Sequence, residues 1–346
     1  MKISAVICEL NPFHRGHAHI FGKARENSEV VIAVMSGNFV QRATTSVYHK
    51  YLRAQAAVEG GADLCVELPF PFSSSSAEFF ARAGVEVAEG LLATDLYFGS
   101  ECGDASALKT AARILDSEDR VQKGRAAEHR AALIKEKFPD CPESIYSSPN
   151  DILGVEYCRF ATINTHPERR ISCESASQIR EVLYTEDENA LSPNELTLLE
   201  FHAFKAMKNP PVFAECNGGV GGRLCNAAEL TNDSKKWLEL AKTKRYTDAR
   251  LRRASLFALT SVMPEDIRQH VAFTRVLCAN EKGREYLRAV KGKTEIPVIT
   301  NPSDRAALSG EGLRQYKAAE HADKLYSLCA KFEDPAFFSK IHPKML

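Results

Sequence analysis

What this 346-residue chain lacks narrows it first. It carries no net charge, with 45 Lys and Arg against 45 Asp and Glu, so the total points to no DNA and no membrane surface, and any polyanionic partner has to be argued from local charge. No apolar run approaches the ~20 residues that span a bilayer. The opening MKISAVICEL has one Lys and a short apolar stretch, but Asn-Pro-Phe-His follows where a cleavage site would need small residues. It is expected to be neither signal peptide nor membrane span. The ten cysteines are scattered, without a single C-x-x-C; this argues against a zinc cluster or a disulfide framework and for free thiols in a reducing cytoplasm. Internal repeats and low-complexity tracts are absent as well.

What is there reads as an ordinary globular protein, 44% hydrophobic and 26% charged, long enough to suggest two domains. Residues 2–10, 30–36, 63–68 and 94–99 are short β-branched runs, each ending at a polar or Gly/Pro break. Helical patterns over 17–27, 49–60 and 76–92 separate them. Near-continuous apolar strands alternating with helices predict an α/β fold, a doubly wound parallel sheet covered on both faces. Beyond it a charged helix at 119–138, a Pro/Ser-rich connection at 139–150 and a helix at 151–162 are expected. From about residue 190 the pattern turns mostly helical, apart from short strands at 271–278 and 295–300, so the boundary is placed near 188: a sheet domain over 1–188 and a mostly helical domain over 189–346.

In doubly wound sheets ligands sit beyond the carboxyl ends of the strands. Strand 1 runs there into NPFHRGH, residues 11–17. His14 and His17 can share one side of a helix N-terminus, with Gly16 allowing close approach of a ligand to the backbone. Such an end offers free N–H groups and partial positive charge, which suit phosphate. The metal alternative needs further ligands, and the nearby candidates, Cys8 and Glu9, point to opposite faces of a strand. His19 should point away from this pair. Lys50 and Arg53, on the next helix, either reach phosphate or face solvent. Glu67 and Glu101, ending strands 3 and 4, either hold Mg²⁺ or order the loops. Asn150, between Pro149 and Asp151, reads as a helix N-cap, and Phe70, Phe72, Phe79 and Phe80 as core.

Several stretches together resemble the H-x-G-H nucleotidyltransferase superfamily and, within it, the bacterial tRNA(Met) cytidine acetate ligase family: ELNPFHRGH (9–17), VMSGNFVQR (34–42), GADLCVELP (61–69), SAEFFA (76–81), FGSE (98–101), SPNDILGVEY (148–157) and SASQIR (175–180). The resemblance implies a Rossmann-like nucleotide domain that activates acetate with ATP and passes the acetyl group to N4 of the wobble cytidine of elongator tRNA(Met). It implies ATP contacts from Ile7, Glu9, Asn11, Pro12, Phe13, Gly16, His17, Gly99, Asn150, Ser175, Ser177 and Arg180, with His14, His17 and Arg180 catalytic; it leaves Mg²⁺ open, as do Glu67 and Glu101.

Between 235 and 253 stand eight Lys/Arg against two acidic residues, interleaved with Trp237 and Tyr246. This run is the candidate tRNA surface, through Lys244, Arg245, Arg250, Arg252 and Arg253, with an aromatic ring to stack a base. The chain departs from the family pattern at Ala43, where a Gly usually follows Gln-Arg, and at 219–223, where GVGGR replaces Gly-(Leu/Ile)-Glu-Asn-Arg. It also looks short for the family. These departures leave the ATP half intact and bear on the RNA substrate. The competing readings are an adenylyltransferase acting on a small metabolite, which predicts one compact domain, and an RNA-binding protein with a vestigial nucleotide site, which predicts loss of the histidines or Arg180.

Overall fold

The structure, a computed structural model, describes residues 1–119, 127–207, 212–243, 246–334 and 336–346. In chain order the strands are β1 (Ile3–Cys8), β2 (Val30–Ser36), β3 (Leu64–Leu68), β4 (Asp95–Ser100), β5 (Asn164–Arg169), β6 (Thr274–Ala279), β7 (Val298–Ile299) and β8 (Lys344–Met345). The helices of the sheet region begin with α1 (Arg15–Glu26), α2 (Lys50–Glu59), α3 (Ala77–Gly90), α4 (Ala105–Asp119), α5 (Ala127–Lys137), α6 (Ser144–Ser147), α7 (Pro149–Phe160) and α8 (Ala176–Glu186). There follow α9 (Asn194–Ala206), α10 (Val220–Glu229), α11 (Ser234–Ala241), α12 (Asp248–Leu259), α13 (Glu281–Ala289), α14 (Gly310–Cys329) and α15 (Phe337–Lys340).

The sheet order is β5-β4-β1-β2-β3-β6-β7, with β8 pairing β6. Strands β1 to β5 run parallel, and their central members are buried along their whole length, as a sheet covered on both faces requires. One apolar layer packs alternate strand residues (Ile7, Val34, Leu68) against α3, α4 and α7. The opposite layer packs Val6, Met35 and Cys65 against α1, α2 and α14. Since β2 and β3 lie on one side of β1, and β4 and β5 on the other, strand order reverses between β1 and β4.

The expected boundary at 188 does not divide the sheet. β6 pairs antiparallel with β3, and β7 and β8 pair with β6, so three strands from beyond 188 complete it. What does stand apart is a small helical layer of α9 to α12 with its own core around Trp237. Two further points concern the sheet region. Of the helix expected over 119–138, α5 (Ala127–Lys137) covers the later part, while 120–126 lie outside the described residues. Strand β5 is unexpected: its sequence, NTHPER, is polar and carries Pro167, which a sheet tolerates at its edge, and β5 is the edge strand.

Candidate functional site

At the end of β1 the chain turns through Leu10, a fully buried residue with left-handed φ of 49°, into Asn11. The side-chain oxygen of Asn11 accepts from the amide of Val47 at 2.7 Å, tying this turn to the loop after β2. Helix α1 begins at Arg15, two residues earlier than its apolar pattern suggested, because His14 itself is the N-cap. The Gly16 amide donates to His14 Nδ1 at 3.0 Å, and the His14 amide donates to His17 Nδ1 at 3.2 Å. The two rings stack with centroids 3.9 Å apart. Since both Nδ1 atoms accept, each neutral imidazole carries its proton on Nε2, where it remains available as a donor. Both rings stay neutral near pH 7. Burial, then His14 and Arg170, push His17 down to about 3; burial and then Arg170 lower His14. Gly16 is required by this pair, because a Cβ there would meet His14 Cε1 at 2.8 Å.

Arg180 closes the other side. Its Nη1 donates to the carbonyl of Asn11 at 2.5 Å and its Nη2 to Ser177 Oγ at 3.1 Å. Ser175 caps α8, its hydroxyl accepting from the Gln178 amide at 3.3 Å while Gln178 Oε1 accepts from the Ser175 amide at 2.9 Å. The H-x-G-H turn and the S-x-S-x-x-R turn, 169 residues apart in sequence, are therefore in direct contact.

A third element comes from β4, β5 and α7. Asn150 is not the N-cap of α7; Ser148 takes that position and Asn150 instead donates from Nδ2 to Glu101 Oε1 at 2.8 Å. Arg170, directly after β5, donates to the same oxygen at 3.1 Å. Asp151 is fully buried and gathers the end of β4, accepting from Ser100 Oγ at 2.5 Å and from the amides of Glu101 and Cys102, both at 3.0 Å. Sequence reasoning missed Arg170 and Asp151; the Asp that follows Asn150 in SPND was the available signal for the second. Glu101 orders this corner through three donors.

The remaining expected residues fall in different places. Glu9 accepts from the Gln41 amide at 2.7 Å; burial raises its pKa against the pull of that amide, Arg42 and Arg180. Ile7 turns its side chain into the core against Gly84, so only its backbone can serve a site. Pro12 is buried, and Phe13 stacks on Phe21 at 6.2 Å. The protein does not itself demand a glycine at 99, where a Cβ would make only ordinary contact, 3.7 Å from Arg170 Cγ.

Lys50 and Arg53 neither reach toward phosphate nor face solvent: both are buried. Lys50 Nζ lies 2.8 Å from Glu67 and 2.7 Å from Asp323, and Arg275 joins the same two carboxylates at 3.0 and 3.3 Å. Glu67, saturated by cations, is thereby removed as a metal ligand. Among the described residues no group of three or more His, Cys, Asp or Glu is placed to hold a metal ion, and each of the ten cysteines is free. Nor is any described helix long and apolar enough to cross a membrane.

In the basic run, Lys244 and Arg245 lie outside the described residues. Trp237 cannot stack a base: it is fully buried, its indole N–H donating to the Leu224 carbonyl at 2.9 Å. Tyr246 is nearly buried too, and its hydroxyl donates to Gly218. Arg250 and Arg253 approach Glu215, at 3.6 and 3.4 Å, and Arg252 pairs with Asp248 at 2.8 Å. These three remain partly exposed.

Comparison with known proteins bears on this arrangement. A family profile described as HIGH Nucleotidyl Transferase matches residues 1–336. The chain is 29% identical to a protein of Thermoanaerobacter pseudethanolicus called tRNA(Met) cytidine acetate ligase, over 99% of each. It is 30% identical to one of the same name from Clostridium perfringens, over 88% of this chain and 90% of the relative. Among solved structures it is similar to Thermotoga maritima TmcAL bound with alpha-thio ATP, with a TM-score of 0.88 and 27% identity, covering 100% of both chains.

Proposed function

Because the chain belongs to the HIGH nucleotidyl transferase family, we propose that it is an ATP-dependent tRNA(Met) cytidine acetate ligase. An acetate oxygen attacks the α-phosphorus of ATP, the bond to pyrophosphate breaks, and acetyl-adenylate forms. The N4 amine of the wobble cytidine of elongator tRNA(Met) then attacks the acetyl carbon, releasing AMP and a proton. No protein nucleophile is needed, so the enzyme contributes position and charge stabilisation.

The single observation that carries this reading is the contact of the Arg180 guanidinium with the Asn11 carbonyl, beside the stacked His14 and His17. In this reading one full positive charge and two neutral Nε2–H donors act on the same triphosphate. Neutral donors suit the chemistry, since they stabilise charge that grows on phosphoryl oxygens without releasing a proton. Arg180 and the turn carrying Ser175 and Ser177 take the β- and γ-phosphates, which a guanidinium can grip bidentately. Asn150, with the backbone at Gly99, Ile7, Pro12 and Phe13, faces the adenosine; the slack space at Gly99 is what a close nucleotide requires. With Glu67 sealed in ion pairs, Mg²⁺ enters on the triphosphate, as it usually does. The partly exposed Arg250, Arg252 and Arg253, with Lys244 and Arg245, serve the RNA backbone. In this reading the helical layer α9 to α12 is the RNA-binding part and the sheet the nucleotide part.

The test is to incubate the protein with ATP, labelled acetate and total tRNA and to digest the RNA to nucleosides. Label in N4-acetylcytidine of elongator tRNA(Met) is expected; label in another nucleoside, or none, rejects the assignment.

A further inference from the structure

Arg53 is buried without the compensation given to its neighbour Lys50. Its guanidinium donates to main-chain carbonyls: Nε to Tyr48 at 2.9 Å, Nη1 to Glu9 at 2.5 Å, and Nη2 to Ser36 at 3.2 Å and to Gly37. Among the described residues no carboxylate forms an ion pair with it, whereas Lys50 has two. Burying a guanidinium whose hydrogen bonds all go to carbonyls, with the Glu9 carboxyl acting on it only through space, is an expensive way to hold a fold together. The four carbonyls share a location that explains the arrangement: the ends of β1 and β2 and the loop leading into α2.

Directly after Glu9 stands Leu10 in its left-handed conformation, fully buried. A non-glycine residue persists there only when its surroundings over-determine it. Four contacts do so: Arg53 on the Glu9 carbonyl, the Gln41 amide on the Glu9 carboxyl, the Val47 amide on Asn11 Oδ1, and Arg180 on the Asn11 carbonyl. Two of these, Gln41 and Val47, are main-chain donors of the loop whose ends Arg53 also holds, through Ser36, Gly37 and Tyr48. Arg53 thus acts on the turn directly, and again through the loop that backs it.

We propose that Arg53 is a positioning residue of the nucleotide site: it sets the Leu10 turn, and through it the direction in which Asn11, His14 and His17 leave β1. The inference rests on the nucleotide reading of the H-x-G-H turn but not on acetate or tRNA. Arg53→Lys keeps the charge in the same slot, yet a single ammonium cannot bridge carbonyls on three segments.

The experiment uses the full chain and compares wild type, Arg53→Lys and Arg53→Ala for ATP affinity by calorimetry, thermal midpoint, RNA binding and amide hydrogen exchange. For Arg53→Lys an ATP affinity at least ~10-fold weaker is expected, since misplacement by about 1 Å at a reacting site costs up to ~100-fold. RNA binding should hold, and faster exchange should be confined to the amides of residues 10–17 and of the loop 37–48, with β2 and β3 unchanged. Added ethylguanidinium should restore ATP binding to Arg53→Ala. The inference is overturned if Arg53→Lys binds ATP within about two-fold of wild type. It is equally overturned if ATP affinity, RNA binding and protection across the sheet fall together without rescue, which would make Arg53 only a bolt of the fold. A wild type that binds ATP but shows no acetate-dependent exchange of pyrophosphate sinks the ligase reading and leaves Arg53 in place; one that binds no ATP removes both.

Discussion

Two groups of charged and titratable side chains line the carboxyl edge of one sheet and have opposite fates. At the β2, β3 and β6 end, Lys50, Glu67, Arg275 and Asp323 are buried and pair among themselves. Burial pushes Glu67 upward, yet Arg275 and Lys50 outweigh it and hold the carboxyl below its usual range. At the β1, β4 and β5 end, His14, His17, Arg170 and Arg180 are partly exposed and keep donors to spare. A chemical site is thus marked less by charge than by side chains that solvent, and so a ligand, can reach. The first group uses its charges to hold elements together; the second leaves them for a guest.

The comparison can be broken most forcefully at its sealed end. Lys50→Met leaves two buried carboxylates, Glu67 and Asp323, to share the single cation Arg275 and is expected to cost ~3–5 kcal/mol of stability in urea unfolding. A loss below ~1 kcal/mol, the range of a surface pair, would show that the cluster is solvated. Next comes His17→Ala at the open end. It should lower acetate-dependent ATP–pyrophosphate exchange ~10²–10³-fold, the usual effect of removing one donor to a developing charge. Its stability should fall by only ~1 kcal/mol, as for a helix cap. Retention of most of the exchange activity removes His17 from the chemistry.

A third, smaller effect is read with acid. His17 is depressed to about 3 in the folded chain against 6.5 for a free imidazole. The unfolded state therefore binds the proton first, and stability drains away as pH falls from about 6.5 toward 3. Ring resonances of His17 that stay neutral at pH 5 by NMR would agree; a midpoint near 6.5 would not. The smallest effect concerns the RNA. Replacing Arg250, Arg252 and Arg253 with Gln should weaken tRNA binding and flatten its salt dependence, the slope falling by ~0.7–0.9 for each phosphate no longer neutralised, while pyrophosphate exchange stays the same. An unchanged salt slope would move the RNA surface elsewhere.

Much of this was legible in the residue order. Strands β1 to β4 announce themselves by β-branched runs, and HRGH and SASQIR mark the two turns that the fold brings together. The parts that could not be read are non-local. Lys50 and Arg53 look like surface cations until Asp323, 273 residues from Lys50, is known to lie against the first of them. Strand β5 carries no apolar periodicity because an edge strand, paired on one side only, does not need one. Trp237 sits in a lysine-rich stretch, yet α11 is amphipathic and the indole takes its inner face, against Phe201 and Phe204. Charge density along the chain therefore overstated the RNA surface and understated the interior.

The placing of Asp323 on α14 has a consequence for how the protein is made. A ribosome delivers β1 to β3 early, but the outer edge of β3, which ends at Leu68, lacks β6 until Thr274–Ala279 has emerged, and the ammonium of Lys50 lacks one of its two anions until Asp323, 273 residues on, has emerged. Domains usually mature in the order of their synthesis. Here the first half of the message encodes a body that only a helix near the far end can lock, so nascent chains stalled before it should remain sensitive to protease, and a premature stop late in the gene should be as damaging as one near its start.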